Sequence, residues 1–321
     1  MLSRRALLAR IAVAGLSALC LAAHAQYPER PIKIVVPVSP GGGTDITARL
    51  LATHLAPRLG VPVIVENKLG ADGLIGADAV AKAAPDGYTL LMPTTGFLLL
   101  PFMHKKMPYD TLGDLVGITA VSRAPMLIVA TGSLPFRTPK EFGELLRANP
   151  DKYSYATFES YGTMLLSMYN ARENIQAVKV PYKGSGQAMP DVMSGVVAYM
   201  MTSVAAAKPH LESGKLRAVG LTGAERIPQL PEVATLMESG LSDFAIYQRF
   251  TLFAPAKTPP VILERIQQAV QAVVRLPEVS SVLRQQGQEP LGNSVAEFQA
   301  EVRKEYAMSE KAAKAAGFVP N

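Results

Sequence analysis

The sequence predicts an α/β fold of two αβ lobes followed by a helical tail. Three observations predict it. Short apolar runs rich in valine and isoleucine alternate with helix-period segments along most of the chain, which is the signature of βαβ units and a parallel sheet. From Pro259 onward the pattern turns largely helical. The length, 321 residues with 49% hydrophobic and 18% charged, supplies apolar material for about two cores.

The elements follow in order. KIVVPV (33–38) reads as a strand, and the segment from Thr44 to about Leu59 as a helix with Leu51, Leu55 and Leu59 four apart on one face. PVIVEN (62–67) is a second strand, GADGLIGADAVAKAA (70–84) a glycine-rich entry into a helix, and YTLLMP (88–93) a third strand after the turn Pro85-Asp86-Gly87. The scheme then repeats. Strands are expected at 125–131, 153–157, 177–182, 196–202 and 216–222, with helices at 138–150, from about Gly162, and near Ala188–Ser194. In the last helix Val295, Phe298 and Val302 form an apolar stripe suited to core packing.

The first residues stand outside this scheme. MLSRRALLAR carries three arginines, IAVAGLSALCLAA is apolar, and Ala23-His24-Ala25 has the small residues of a cleavage site. Residues 1–25 are therefore expected to be a secretory signal peptide, cleaved after Ala25, for export to the periplasm. Ser3-Arg4-Arg5-Ala6-Leu7-Leu8 also has the look of a twin-arginine signal, which leaves the export route open. The single cysteine, Cys20, falls in this segment, so the mature chain needs no disulfide. Removing Arg4, Arg5 and Arg10 lowers the formal charge from +6 to 29 basic against 26 acidic residues. Those charges are scattered, with no run of five or six of one sign, so a nucleic-acid partner is not expected.

The usual tools of exported enzymes are missing. His54, His104 and His210 are far apart in sequence, no H-E-x-x-H, G-x-S-x-G or S-x-x-K pattern occurs, and the mature chain has no cysteine nucleophile. Neither a catalytic residue nor a metal or cofactor is expected. An acid pair brought together only by the fold is the remaining route to an enzyme.

One stretch does carry chemistry. KIVVPVSPGGGTD (33–45) runs from strand through consecutive glycines into a helix start. A dinucleotide fingerprint would need glycine where Ile46 stands, and a Walker loop would end in Gly-Lys-Ser/Thr rather than Gly43-Thr44-Asp45. What remains is a run of bare main-chain N–H groups at the positive end of a helix, a place for a small anion such as a carboxylate. The plain alternative is a tight turn with an aspartate cap.

Beyond this loop, the chain resembles the Bug-type receptors of tripartite tricarboxylate transporters. The matching stretches are YPERPIKIVVPVSPGGGTDITAR (27–49), VENKLGADGLIGA (65–77), PDGYTLLM (85–92), KKMPYD (105–110), VPYKGSGQAMPDVMSG (180–195), SGKLRAVGLT (213–222) and LFAPAKTPP (252–260). The resemblance implies a type II periplasmic binding protein, two αβ lobes with a hinged inter-lobe cleft. Lobe 1 would comprise residues 26–125 and, on the return, 247–321; lobe 2 would comprise 126–246. It implies a small organic acid as ligand, a membrane permease as partner and a monomeric receptor. A periplasmic sensor using the same clamp is the alternative, and an enzyme the weaker one.

The resemblance also places the site. One ligand carboxylate would meet two loops: Ser39, Pro40, Gly41, Gly42, Gly43, Thr44 and Asp45 on the first lobe, and Thr157, Glu159, Ser160, Gly162 and Thr163 on the second. Thr94, Thr95, Thr202 and Arg249 complete the expected set. The second loop lacks the family's His-Leu pair, and Glu159 brings a negative charge toward the anion. Arg249 stands where a tryptophan is usual, Thr202 where an acid is usual, and Phe97-Leu98-Leu99-Leu100 where a polar segment with histidine is usual. Taken together, Arg249 and Thr202 would favour a second anionic or aromatic group on the ligand, unless Arg249 is held in an ion pair.

Overall fold

The computed structural model describes residues 27–315 except 159 and 243; the signal peptide expected from the sequence lies outside the described residues. The chain opens with β1 (Ile32–Val36), α1 (Gly43–Leu59), β2 (Val63–Asn67), a single 3₁₀ turn at Ala71–Gly73, α2 (Leu74–Ala81), β3 (Thr89–Leu91) and a 3₁₀ helix at Thr95–Phe102. A long strand, β4 (Leu115–Thr131), leads into α3 (Pro139–Arg147), β5 (Ser154–Thr157), α4 (Ser160–Arg172), β6 (Val178–Pro181), α5 (Ser185–Ser194), β7 (Tyr199–Ser203), α6 (Val204–Glu212) and β8 (Leu216–Leu221). Then come β9 (Tyr247–Pro255), α7 (Pro260–Val274), α8 (Pro277–Gln285), the short β10 (Glu289–Pro290) and α9 (Val295–Ala315).

The strands are joined in the order β2-β1-β3-β9-β4-β7-β5-β6, with β10 and β8 also on β4. Each half repeats one plan. In the first, β1 runs parallel to β2 and β3, and β9 closes it antiparallel. In the second, β5 runs parallel to β6 and β7, and β4 closes it antiparallel. The valine and isoleucine runs are those of strands covered on both faces. Separate apolar clusters do cover the faces of each half: one gathers Ile34, Leu51, Leu55 and Val270, its counterpart Val35, Leu91, Phe97 and Phe298. Around the second half the clusters centre on Phe142 with Tyr199 and on Val129 with Met200.

β4 belongs to both halves. Its residues up to Pro125 pair with β9, while Met126 onward pairs with β7, and Leu127 onward with β8 as well. A proline in the middle of a strand normally costs a ladder bond. At position 125 that cost is small, because it is the point where one set of partners ends and the next begins.

Candidate functional site

At the end of β1 the chain turns through Ser39–Gly42 into α1. Gly41 has φ +81°, a conformation that L side chains avoid. Asp45, 2% exposed, fastens this turn. Its carboxylate accepts the Gly41 N–H at 3.0 Å, the Asn67 amide at 2.8 Å, and Arg49 Nε at 3.0 and 3.1 Å. Asn67, at the end of β2, also donates to the Val38 carbonyl at 3.0 Å. Burial alone would raise the Asp45 pKa, but the Arg49, Gly41 and Asn67 hydrogen bonds and the Arg49 charge outweigh it and hold the group below the usual carboxylate range. The carboxylate is therefore a structural brace whose bonds turn inward.

With Asp45 so engaged, the N-terminus of α1 has no side-chain cap. Ile46 is the first residue whose N–H reaches back, to the Gly42 carbonyl at 2.9 Å, so the N–H groups of Gly43 and Thr44 stay open. Gly42, Gly43 and Thr44 of this turn line a small cavity of about 30 Å³. Opposite them stand Tyr161 and Gly162 in the first turn of α4, Ser185 at the start of α5, and Ser203 capping α6. The beginnings of four helices thus meet at one cavity. Each contributes the positive end of its dipole, equivalent to roughly half a charge at most. No Asp, Glu, Lys or Arg is among the described residues that line it. Ser203 Oγ accepts the Ala206 N–H at 3.2 Å, which leaves its own proton free to donate. Burial first, and Glu305 second, push the Tyr161 hydroxyl up to about 12, so it remains protonated at neutral pH.

The two halves close tightly around this space. Ser185 Oγ lies 3.0 Å, and Ser203 Oγ 2.5 Å, from where a side-chain carbon would sit on Gly42 and Gly43. Gly184 abuts Ser39, Gly186 abuts the Pro40 carbonyl, and Gly96 abuts Tyr161 in the same way.

The expected site residues separate into groups. Gly42, Gly43, Thr44, Gly162 and Thr202 line the cavity. Ser39, Pro40, Gly41 and Asp45 build the turn behind it without lining it. Thr157 and Thr163 line a larger groove next door, about 820 Å³, which shares Phe158 as a common wall. Thr94 lies beside Phe97 and Leu98 in a pocket toward α9. Thr95 opens its 3₁₀ helix and Ser160 opens α4, but their side chains, like the whole of Glu159, lie outside the described residues. Arg249 does not line the cavity; its guanidinium bonds Glu301 at 2.9 Å and stands 3.7 Å from Glu305. Phe97–Leu100 are buried core.

Sequence reasoning missed Val38, Met126, Phe158, Tyr161, Ser185, Ser203 and Gln248 among the lining residues. Two had a signal: Ser185 lies in the turn Gly184-Ser185-Gly186, and Ser203 precedes the helical run Val204–Ala207. Among the described residues, no group of three His, Cys, Asp or Glu that could hold a metal ion is found.

Two covered half-sheets joined by a shared strand, with an anion-seeking cavity between them, define a bilobal binding protein. The sequence model for the tripartite tricarboxylate transporter family receptor matches residues 47–317, and the chain belongs to that family. BugT of Bordetella pertussis is 35% identical over 289 residues, 88% of this chain and 87% of its own. The structure of the periplasmic binding protein BugD superposes with a TM-score of 0.87 at 33% identity, covering 92% of this chain and all of BugD. R. palustris Rpa4515 with adipate gives 0.86 at 32%, covering 92% of this chain and all of its own. Among the described residues, no helix is long and apolar enough to cross a membrane.

Proposed function

We propose that this chain is an exported receptor that captures a small carboxylate between its lobes and delivers it to the permease of a tripartite tricarboxylate transporter. Residues 26–125 with 247–321 form one jaw and 126–246 the other. The observation that carries the reading is the meeting of four helix N-termini at a cavity whose described lining bears no charged side chain. Oriented N–H groups and hydroxyls in a water-poor space favour an anion at no cost in reorganisation. The adipate carried by the R. palustris neighbour supports the ligand class. In the receptor, the open N–H groups of Gly43 and Thr44, with the Ser203 hydroxyl, hold the carboxylate.

Closure acts as a population shift, since only the closed form lets one ligand touch both jaws. The test is mass spectrometry of small molecules released from protein purified without refolding, followed by calorimetric titration of the acid found. Saturation at a hundred times the dissociation constant is expected to add about 2.7 kcal/mol to stability. Absence of any released acid, with no melting shift across mono-, di- and tricarboxylates, overturns the reading.

A further inference from the structure

A carboxylate satisfies donors, yet two residues that line the cavity carry buried oxygens with no hydrogen-bond partner. Thr202, on β7, is 1% exposed, and its Oγ1 has no hydrogen-bond partner. Gln248, on β9, has its Oε1 buried and equally unpartnered. Both residues line the cavity. Their strands flank β4 near the switch at Pro125: Thr202 is opposite Leu127 and Gln248 opposite Ala124. One residue thus comes from each half of the sheet, where the halves join.

A buried polar atom left unpaired carries its full desolvation penalty. The Gln248 oxygen can only accept, and an ionised carboxylate has no proton to give it. The Thr202 hydroxyl can accept or donate. No charged side chain is among the described lining, so nothing there balances an ammonium or a second carboxylate. The space is about 30 Å³. At the roughly 10–15 Å³ that one water-sized group requires, this is room for about two or three such groups. A donor that shares this space with the carboxylate and reaches Gln248 is therefore close to the carboxyl carbon.

Building on the receptor reading above, we propose that the ligand is a carboxylic acid with a neutral hydrogen-bond donor, a hydroxyl or an amide N–H, close to its carboxylate. Gln248 Oε1 accepts from that donor, and Thr202 Oγ1 completes the contact. The pair sets specificity, while the open helix ends supply charge recognition. A site of this kind discriminates strongly, because an acid lacking the donor leaves both atoms unpaired.

The test is calorimetric titration of the purified chain with matched acids that differ by one hydroxyl: racemic lactate against propionate, and glycolate against acetate. The hydroxy acid of a pair is expected to bind about tenfold more tightly, about 1.4 kcal/mol. In Gln248→Leu and Thr202→Val the preference within a pair falls below about threefold, whatever happens to the absolute affinities; Thr202→Ser retains the preference. Circular dichroism establishes that each variant is folded. Equal affinity within the pairs overturns this proposal and leaves the receptor reading standing. Heat from none of the four acids, nor from any other carboxylate tried, removes both.

Discussion

Gly186 lies directly beneath the carbonyl oxygen of Pro40, so close that a methyl group on its Cα would overlap that oxygen. The two residues belong to opposite halves, Pro40 to the turn after β1 and Gly186 to the first turn of α5. Under the receptor reading, this contact belongs to the shut form. The bare α-carbon is what lets the halves approach this far.

Gly186→Ala is therefore expected to separate closure from folding. Position 186 is helical, where alanine is favoured over glycine by about 1 kcal/mol. The melting temperature should hold or rise, while affinity for the captured acid falls about tenfold or more because the shut form is penalised. Calorimetry and small-angle scattering with and without the acid check this. Unaltered affinity in a folded variant would show that the contact does not limit closure.

Asp45 is expected to behave as the brace of the anion turn. Asp45→Ala frees the Gly41 N–H and the Asn67 amide and should cost about 1–3 kcal/mol in denaturant unfolding. The pH dependence has a definite sign. The Asp45 pKa is held down in the folded chain, so its contribution is present above the unfolded value near 4 and is lost as pH falls through the folded one. The wild type should thus lose more stability than Asp45→Asn on acidification below about pH 4.

Arg249→Ala should leave carboxylate affinity within about threefold, since the guanidinium is committed to Glu301 and Glu305 and does not line the cavity. Partly exposed ion pairs of this kind contribute about 0–1 kcal/mol, so stability should change little. A tenfold loss of affinity would place Arg249 in the site after all.

Gln288 is expected to matter for stability alone. It is 2% exposed, donates to Thr47 Oγ1 at 2.9 Å and accepts from Ser122, tying α1 to β4 through the segment before α9. Gln288→Leu leaves two buried hydroxyls short of a partner and should lower unfolding free energy by about 1–3 kcal/mol without altering ligand affinity. A ligand effect would mean that the network reaches the cavity.

The strand-helix alternation was legible because period-2 and period-3.6 patterns are local. The parallel strands β1 and β2 and the leucine face of α1 emerged close to their observed places. β4 is legible only from Pro125 onward, since a strand that changes partners halfway has no distinctive local pattern. The site was half legible. Gly42, Gly43 and Thr44 were readable because glycine before a helix start has a physical reason to bind an anion. Ser203 and Gln248 were not, because a residue at a strand end becomes lining only through the pairing of β7 and β9 with β4. Asp45 was readable as a helix-start residue, but its inward bonds depend on Asn67, twenty-two positions away.

A ligand-bound crystal structure with the acid that co-purifies is the most direct test. The account predicts one carboxylate oxygen within about 3.2 Å of the main-chain nitrogens of Gly43 or Thr44. It also predicts the other against the hydroxyl of Ser203, with both jaws in contact. An acid lodged elsewhere, or this cavity filled only by water while the acid is bound, would contradict it.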